Sequence, residues 1–490
     1  MSNSTNSPRP SLLIALIPLI CLISLLFFNV FYAFGDDALS GSNQLILIFA
    51  AAIGAGLAML NGIHWEQLLE GIIDSIKLAT PAILLLLMVG ALSGTWLLSG
   101  IVPAMIYYGL EILNPTIFLL AACLISIVVS LATGSSWSTA ATIGIALMGI
   151  GTTLGINTGM VAGAILSGAY FGDKLSPLSD TTNLAAGASG VDLFRHIRYM
   201  TLTTIPSILI ALTIYLVMGF FVVDASASAD VSALQQAIDQ RFNINPLLML
   251  VPAAVIFMII KKIPAMPAIF IGALLGAVFA FIFQYPLLQE MGRALGYDEF
   301  LNYKSIMHAM YGDTAITTGD ANVDDLLSSG GMYGMLGTIW LVITAMIFAG
   351  VMKSAGYLQR ITEALLSLVR SDGDLVAANA GTCVLANVTT SDQYLAVTIP
   401  AGMYDEAYDK RGLARENMSR TLEDSGTVTS VLVPWNTCGA YHAGVLGVAT
   451  LSYAPFAFFC LISPFMTLLF AYRNIKIARV DKNTEQPVSA

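Results

Sequence analysis

Ten apolar runs, near residues 11–34, 43–62, 81–99, 115–133, 197–222, 246–260, 265–285, 334–352, 374–388 and 450–472, constrain this chain more than any other feature. A helix of roughly 20 apolar residues spans a bilayer core of about 30 Å. Inside lipid every backbone N–H and C=O must be paired within the protein, which leaves helices or closed barrels. The alternating pattern of barrel strands is missing. With 57% of residues hydrophobic and 11% charged, no soluble core could hide the apolar groups. The fold class is therefore an all-α polytopic membrane protein.

The chain also repeats itself. EQLLEGI near residue 66 and ALSGTWLLSGI beyond it are echoed by DDLLSSG near 324 and IFAGVMKSAGY. Leu68 and Leu326 lie 258 positions apart, Gly100 and Gly356 256, Thr142 and Thr398 256, and Asp173 and Asp424 251. Duplication in so apolar a chain points to a secondary transporter, which builds one site from two related halves. The expected organisation is N-terminal spans at 1–65, a first repeat at 66–190 with a site segment at 134–186, and connecting spans with an extracellular segment at 191–323. A second repeat at 324–448 carries a site segment at 387–442, and 449–490 holds a last span and tail. Together these make roughly 10–13 transmembrane helices or hairpins.

Short loops rich in Lys and Arg belong on the cytoplasmic side. Arg195, Arg198, Lys261, Lys262, Lys353, Arg360 and Arg370 and the tail with Arg473, Lys476, Arg479 and Lys482 go there. Asp36, Asp37, Asp224, Asp230, Asp239, Glu290, Asp298, Glu299, Asp313, Asp320, Asp324 and Asp325 go outside. Glu66 and Glu70 then open the first repeat inside, whereas Asp324 and Asp325 open the second outside, so the repeats are inverted.

A formal net charge of −10 offers no basic surface for nucleic acid. Cys21, Cys123, Cys383, Cys438 and Cys460 have no metal-ligand spacing and read as packing residues. No phosphate loop or nucleophile elbow appears, so neither ATP-driven transport nor hydrolysis is supported, and no cofactor is expected. The first apolar run is too long for a cleaved signal and reads as a retained span.

Two segments carry the chemistry. TGSSWSTAATIG with SGAYFGDKLSPLSDTTNLAAG, and NVTTSDQYLAVTIP with RTLEDSGTVTSVLVPWNTCGA, are apolar on average yet broken by Ser, Thr, Gly, Asn and Pro. Such breaks survive at membrane depth only in protein or beside a wet cavity. A carboxylate there is costly and marks function. Asp173, Asp180, Asp392 and Asp424 are the leading ionisable candidates, with Asp173 and Asp424 expected at matching places and as Na⁺ ligands. Asp180 and Asp392 read equally as helix caps. Hydroxyl and amide candidates for ion or proton binding are Ser135, Ser136, Thr139, Ser179, Thr181, Thr182 and Asn183 in the first copy. In the second they are Thr389, Thr390, Ser391, Ser425, Thr427, Asn436 and Thr437. A carboxyl that alternates between proton and cation is the minimal chemistry of a cation/proton antiporter. His64, His196 and His308 read as surface residues, His442 as a candidate pH sensor, and Lys410, Arg411, Arg415 and Arg420 as a cytoplasmic loop.

The strings GSSWSTAATIGIALMGIG, SGAYFGDKLSPLSDTTNLAA, LLSSGGMYGM and TLEDSGTVTSVLVPWNTCGAY resemble the NhaC-type Na⁺/H⁺ antiporters of bacteria, over about 60–450. The resemblance implies a bacterial inner-membrane exchanger of Na⁺ against H⁺ in the ion-transporter superfamily, with inverted repeats, paired hairpins and a homodimer, while the basic tail places the C-terminus in the cytoplasm. Relatives with similar motifs exchange malate for lactate, so a Na⁺-coupled organic-anion exchanger holding a carboxylate at Ser179–Asn183 and Pro434–Thr437 stays open. A channel or structural membrane subunit is the remoter alternative.

Overall fold

The computed structural model describes residues 10–34, 41–112, 114–222, 230–317, 324 and 327–480. Asp36, Asp37, Asp224, Asp320, Asp325, Leu326 and Lys482 lie outside them. Helices α1 (Leu12–Phe28) and α2 (Ser42–Leu60) lead to the 34-residue α3 (Trp65–Leu98). At 1.5 Å per residue α3 runs about 51 Å, well beyond a bilayer core. Its first turns bear Glu66, Glu70, Asp74 and Lys77, and its apolar part begins near Pro81. The first half continues with α4 (Ile101–Ile112), α5 (Phe118–Thr133), a turn at Ser136–Thr139, a π-helical turn at Ala140–Gly144, α6 (Ile145–Thr153), α7 (Thr158–Leu175) and α8 (Asp180–Ser189). Connecting helices are α9 (Leu193–Val222), α10 (Asp230–Arg241), α11 (Leu250–Ile260), α12 (Ala265–Phe283), α13 (Tyr285–Ala294) and α14 (Leu301–Tyr311). The second half has α15 (Leu336–Ser354), α16 (Tyr357–Ser367), α17 (Asp372–Thr389), α18 (Gln393–Lys410), α19 (Glu416–Thr421), a π-helical turn at Leu422–Thr427, and α20 (Thr437–Leu446). The final long helix is α21 (Phe458–Tyr472). One departure from an all-helical fold is a two-residue antiparallel pairing of Thr314–Ala315 with Ser328–Ser329.

Among the described residues six helices are long and apolar enough to cross a membrane, and eight spans result if two bent pairs each count as one. The bent pairs join Gln235–Arg241 to Pro246–Ile260 at 95° and Thr450–Phe456 to Phe458–Tyr472 at 56°. This is fewer than the 10–13 expected. The apolar runs at 11–34 and 374–388 form α1 and α17, outside the six: α1 is a shorter apolar helix, and α17 carries Asn379, Thr382, Asn387 and Thr389 on its buried side. Such polar faces are tolerated because protein, not lipid, surrounds them.

Both halves pass through the same order of elements, and left-handed residues punctuate them at nearly constant spacing. Gly100 and Gly356 are 256 positions apart, and Gly134 and Ser391, Gly155 and Gly412, and Gly190 and Gly447 are each 257 apart, all with φ between 55° and 78°. Each member of a pair sits at the same junction, between α3 and α4 or α15 and α16 for the first, before α9 or after α20 for the last. Contacts follow the same register. Ser130 Oγ donates to the Ala169 carbonyl at 2.6 Å, and Asn387 Nδ2 donates to the Gly426 carbonyl at 2.6 Å. Ser136 Oγ donates to Asp173 Oδ2 at 2.7 Å, and the residues 257 further on, Gln393 and Ser430, are also hydrogen-bonded. In this register Asp173 matches Ser430 and Asp424 matches Ser167. The expected equivalence of Asp173 and Asp424 is therefore a misalignment, because the shared acid residue type masked a six-residue shift.

Close packing of α5 on α7 positions the first break. A Cβ at Gly172 would lie 2.7 Å from both the Ile127 carbonyl and Ser130 Cβ, so only glycine permits this approach.

Candidate functional site

Four helix starts meet at the breaks, each capped by a side chain. Ser135 Oγ accepts from Ser138 N at 3.2 Å, and its counterpart Asp392 accepts from Leu395 N at 2.9 Å. Ser179 Oγ accepts from Thr182 N at 3.4 Å, and its counterpart Asn436 accepts from Cys438 N at 3.0 Å. Helix N-termini carry partial positive charge, which favours nearby carboxylates. Asp173, Asp180 and Asp392 stand there, on a cavity of about 450 Å³. Its walls include Ala79, Pro81 and Ala82 of α3, Gly134, Ser135, Trp137, Thr181, Gln393, Tyr394 and Thr437, with Ala265 and Met266 of α12 at one side. Asp173 and Asp392 are buried and Asp180 is exposed. Asp173 accepts from Ser136 N at 3.0 Å as well as from its hydroxyl. Among the described residues, no Lys, Arg or His lines the cavity.

Asp424 is elsewhere. Its oxygens accept from Lys174 and Thr467, from Ser463 at 3.0 Å and from Thr203 at 2.7 Å. The Lys174–Asp424 ion pair is fully buried. With every acceptor direction occupied by a donor and the charge already balanced, Asp424 is not placed to bind a cation beside Asp173. Among the described residues, no three His, Cys, Asp or Glu side chains gather in metal-binding geometry.

The remaining candidates separate clearly. Ser135, Thr181 and Thr437 line the cavity, and Ser136 and Ser179 support it from behind. Thr139 donates to the Ser135 carbonyl and Thr182 to the Lys174 carbonyl, holding the broken ends. Asn183 is exposed and donates to the Pro177 and Ser179 carbonyls, away from the cavity. Thr389 and Thr390 bond back to the Leu385 and Ala386 carbonyls of α17. Asn436 clasps Asn387 at 3.0 Å. The Ser391, Ser425 and Thr427 hydroxyls are buried and make no hydrogen bond.

Four buried ionisable residues have surroundings that sequence reasoning did not anticipate. His196 is fully buried, with Nδ1 2.8 Å from Ser419 Oγ, and is not a surface residue. Arg420 is fully buried over the Tyr199 ring at 4.7 Å, and is not part of a solvated loop, whereas Lys410, Arg411 and Arg415 pair with acids nearer the surface. Glu423 is fully buried and neither carboxylate oxygen makes a hydrogen bond. His442 is also fully buried, against the Trp137, Tyr170 and Tyr441 rings. The cost of a charge in an apolar segment, applied to Asp424, applied equally to Glu423 and Arg420 and would have found both.

Broken helices around an acidic cavity in an apolar, multi-pass chain define a membrane transport protein. The model of the Na⁺/H⁺ antiporter family matches residues 168–475. The chain is 37% identical to the Na⁺/H⁺ antiporter NhaC of Alkalihalophilus pseudofirmus over 433 residues, 88% of this chain and 90% of that one. It is 38% identical to the malate-2H⁺/Na⁺-lactate antiporter of Bacillus subtilis over 446 residues, 90% of this chain and 91% of that one. To the arginine/ornithine antiporter ArcD of Halobacterium salinarum it is 34% identical over 487 residues, 98% and 96%. The chain belongs to the Na⁺/H⁺ antiporter family and is of the NhaC type.

Proposed function

We propose that this protein exchanges Na⁺ for H⁺ across a bacterial inner membrane, with Asp173, Asp180 and Asp392 as the groups that take cation and proton in turn. The observation that carries this reading is the cavity itself, which draws carboxylates from both halves and, among the described residues, has no basic side chain on its wall. Ser135, Thr181 and Thr437 supply oxygen ligands that replace water around a small cation. The two halves act as inverted repeats, with the cavity near the bilayer midplane, so that each half takes the other's conformation in alternating access. The matched left-handed residues support the duplication. Arg195, Arg411, Arg415 and Arg479 all engage acids around α17–α19, which supports one basic, cytoplasmic face carrying the C-terminus. A homodimer is part of the same proposal.

A second reading is an organic-solute exchanger, as named for two of the relatives. About 450 Å³ exceeds the need of a bare ion, and four helix N-termini suit a substrate carboxylate. The acidic wall favours cations over a malate-like dianion. Na⁺-driven proton movement in proteoliposomes, with malate, lactate and arginine absent and then present, separates the readings. Proton release on Na⁺ alone, lost in Asp173→Asn, supports cation exchange. A wild type silent until an organic solute is supplied replaces it with the second reading.

A further inference from the structure

The π-helical turn at Leu422–Thr427 carries two adjacent carboxylates with opposite surroundings. Asp424 is surrounded by donors and neutralised by Lys174. Glu423, equally buried, makes no close hydrogen bond through either oxygen, and the Thr427 hydroxyl, itself otherwise unbonded, is a side-chain donor within its reach. An ionised carboxylate stripped of water and given no partner is strongly unfavourable, so such a group holds a proton or a cation. The charged groups within electrostatic reach are Lys174 and Asp173 of α7 and Asp424 on the same turn. Lys174 is already engaged by Asp424. The other elements packed on the turn are α8, α17, α18, α19 and α21, whose titratable residues include Asp180, Cys383, Tyr404, Tyr408, Arg420 and Cys460. Arg420 lies over aromatic rings, and no cation among these is hydrogen-bonded to Glu423. The turn is also π-helical, a geometry that recurs at functional sites.

We propose that Glu423, with the Thr427 hydroxyl, forms a second, enclosed site that holds a proton in this conformation and a small cation in its place during transport. One Na⁺ entering as one H⁺ leaves keeps the local charge unchanged, so the Lys174–Asp424 pair is undisturbed. The proposal rests on the Na⁺/H⁺ reading and adds a group outside the open cavity.

The test uses the full chain in proteoliposomes and membranes, with Glu423→Gln and Glu423→Asp. Na⁺-driven proton release is read alongside the infrared difference spectrum on Na⁺ addition. Expected are loss of proton release in E423Q with the protein still monodisperse, and retention in E423D with a displaced pH profile. A carboxylic-acid band lost on Na⁺ addition to wild type is expected to be missing in E423Q and shifted in E423D. Wild-type exchange in E423Q, or an unchanged band, overturns the Glu423 assignment. If E423Q is not monodisperse, E423D decides, and a wild-type pH profile and band there overturn it. A wild type that releases no protons on Na⁺ sinks the exchange reading itself, a separate failure.

Discussion

At the scale of single residues, opposite electrostatic solutions lie next to each other in the chain. Asp173 faces the cavity, while the adjacent Lys174 turns into protein and neutralises Asp424. Removing one partner of a fully buried pair strands the other charge, at a cost of about 3–5 kcal/mol. Lys174→Met is therefore expected to lower the thermal unfolding midpoint in detergent sharply. K174M/D424N, which removes both charges, should recover much of the loss. An unchanged midpoint in K174M would mean that the three hydroxyl donors, Thr203, Ser463 and Thr467, and not the ion pair, hold Asp424. Asp173, Asp180 and Asp392 were legible because a carboxylate among apolar residues demands a reason. The division between Asp173 and Asp424 was not, because which side of α7 each neighbour meets is decided by packing.

At the scale of elements, the breaks are built by caps and left-handed residues. Asp392 has two duties, capping α18 and facing the cavity. Asn caps a helix about as well as Asp, so Asp392→Asn should leave stability within about 0.5 kcal/mol while Na⁺-driven proton release falls. Ser179→Ala removes a cap without removing charge and should cost about 1 kcal/mol with transport retained in the folded fraction. Unfolding midpoints measured beside transport separate the two effects, and a D392N variant as active as wild type would reduce Asp392 to a cap. At Gly172, any side chain would meet α5, so Gly172→Val should destabilise by about 1–3 kcal/mol in the same assay.

At the scale of the molecule, the acidic cavity has a partner. A second cavity of about 350 Å³ lies between α3, α4, α6 and α20, lined by Ser93, Thr152, Ser329 and Gly447 among others. Trp137 and Tyr441, stacked with centroids 4.1 Å apart, belong to the two halves and join the cavity wall to α20. If access alternates, Leu78→Cys on the acidic cavity and Ser329→Cys on the second should respond oppositely to Na⁺ when labelled with a membrane-impermeant maleimide. Both rates moving together, or neither moving, would count against alternation.

The sequence by itself determined the helical membrane class and pointed to most of the residues at the breaks. Hydrophobic length and the cost of unpaired polar groups in lipid act locally and are readable residue by residue. Glycine and serine in left-handed geometry kept the spacing of the halves visible, although an acid in each copy misled the alignment by six positions. Only the tertiary structure decided that Asp392 joins Asp173 and Asp180, that Lys174 claims Asp424, and that Glu423, Arg420 and His196 are buried. The physical reason is that a charge is fixed by its partners, and here those partners lie up to 250 residues away in the chain.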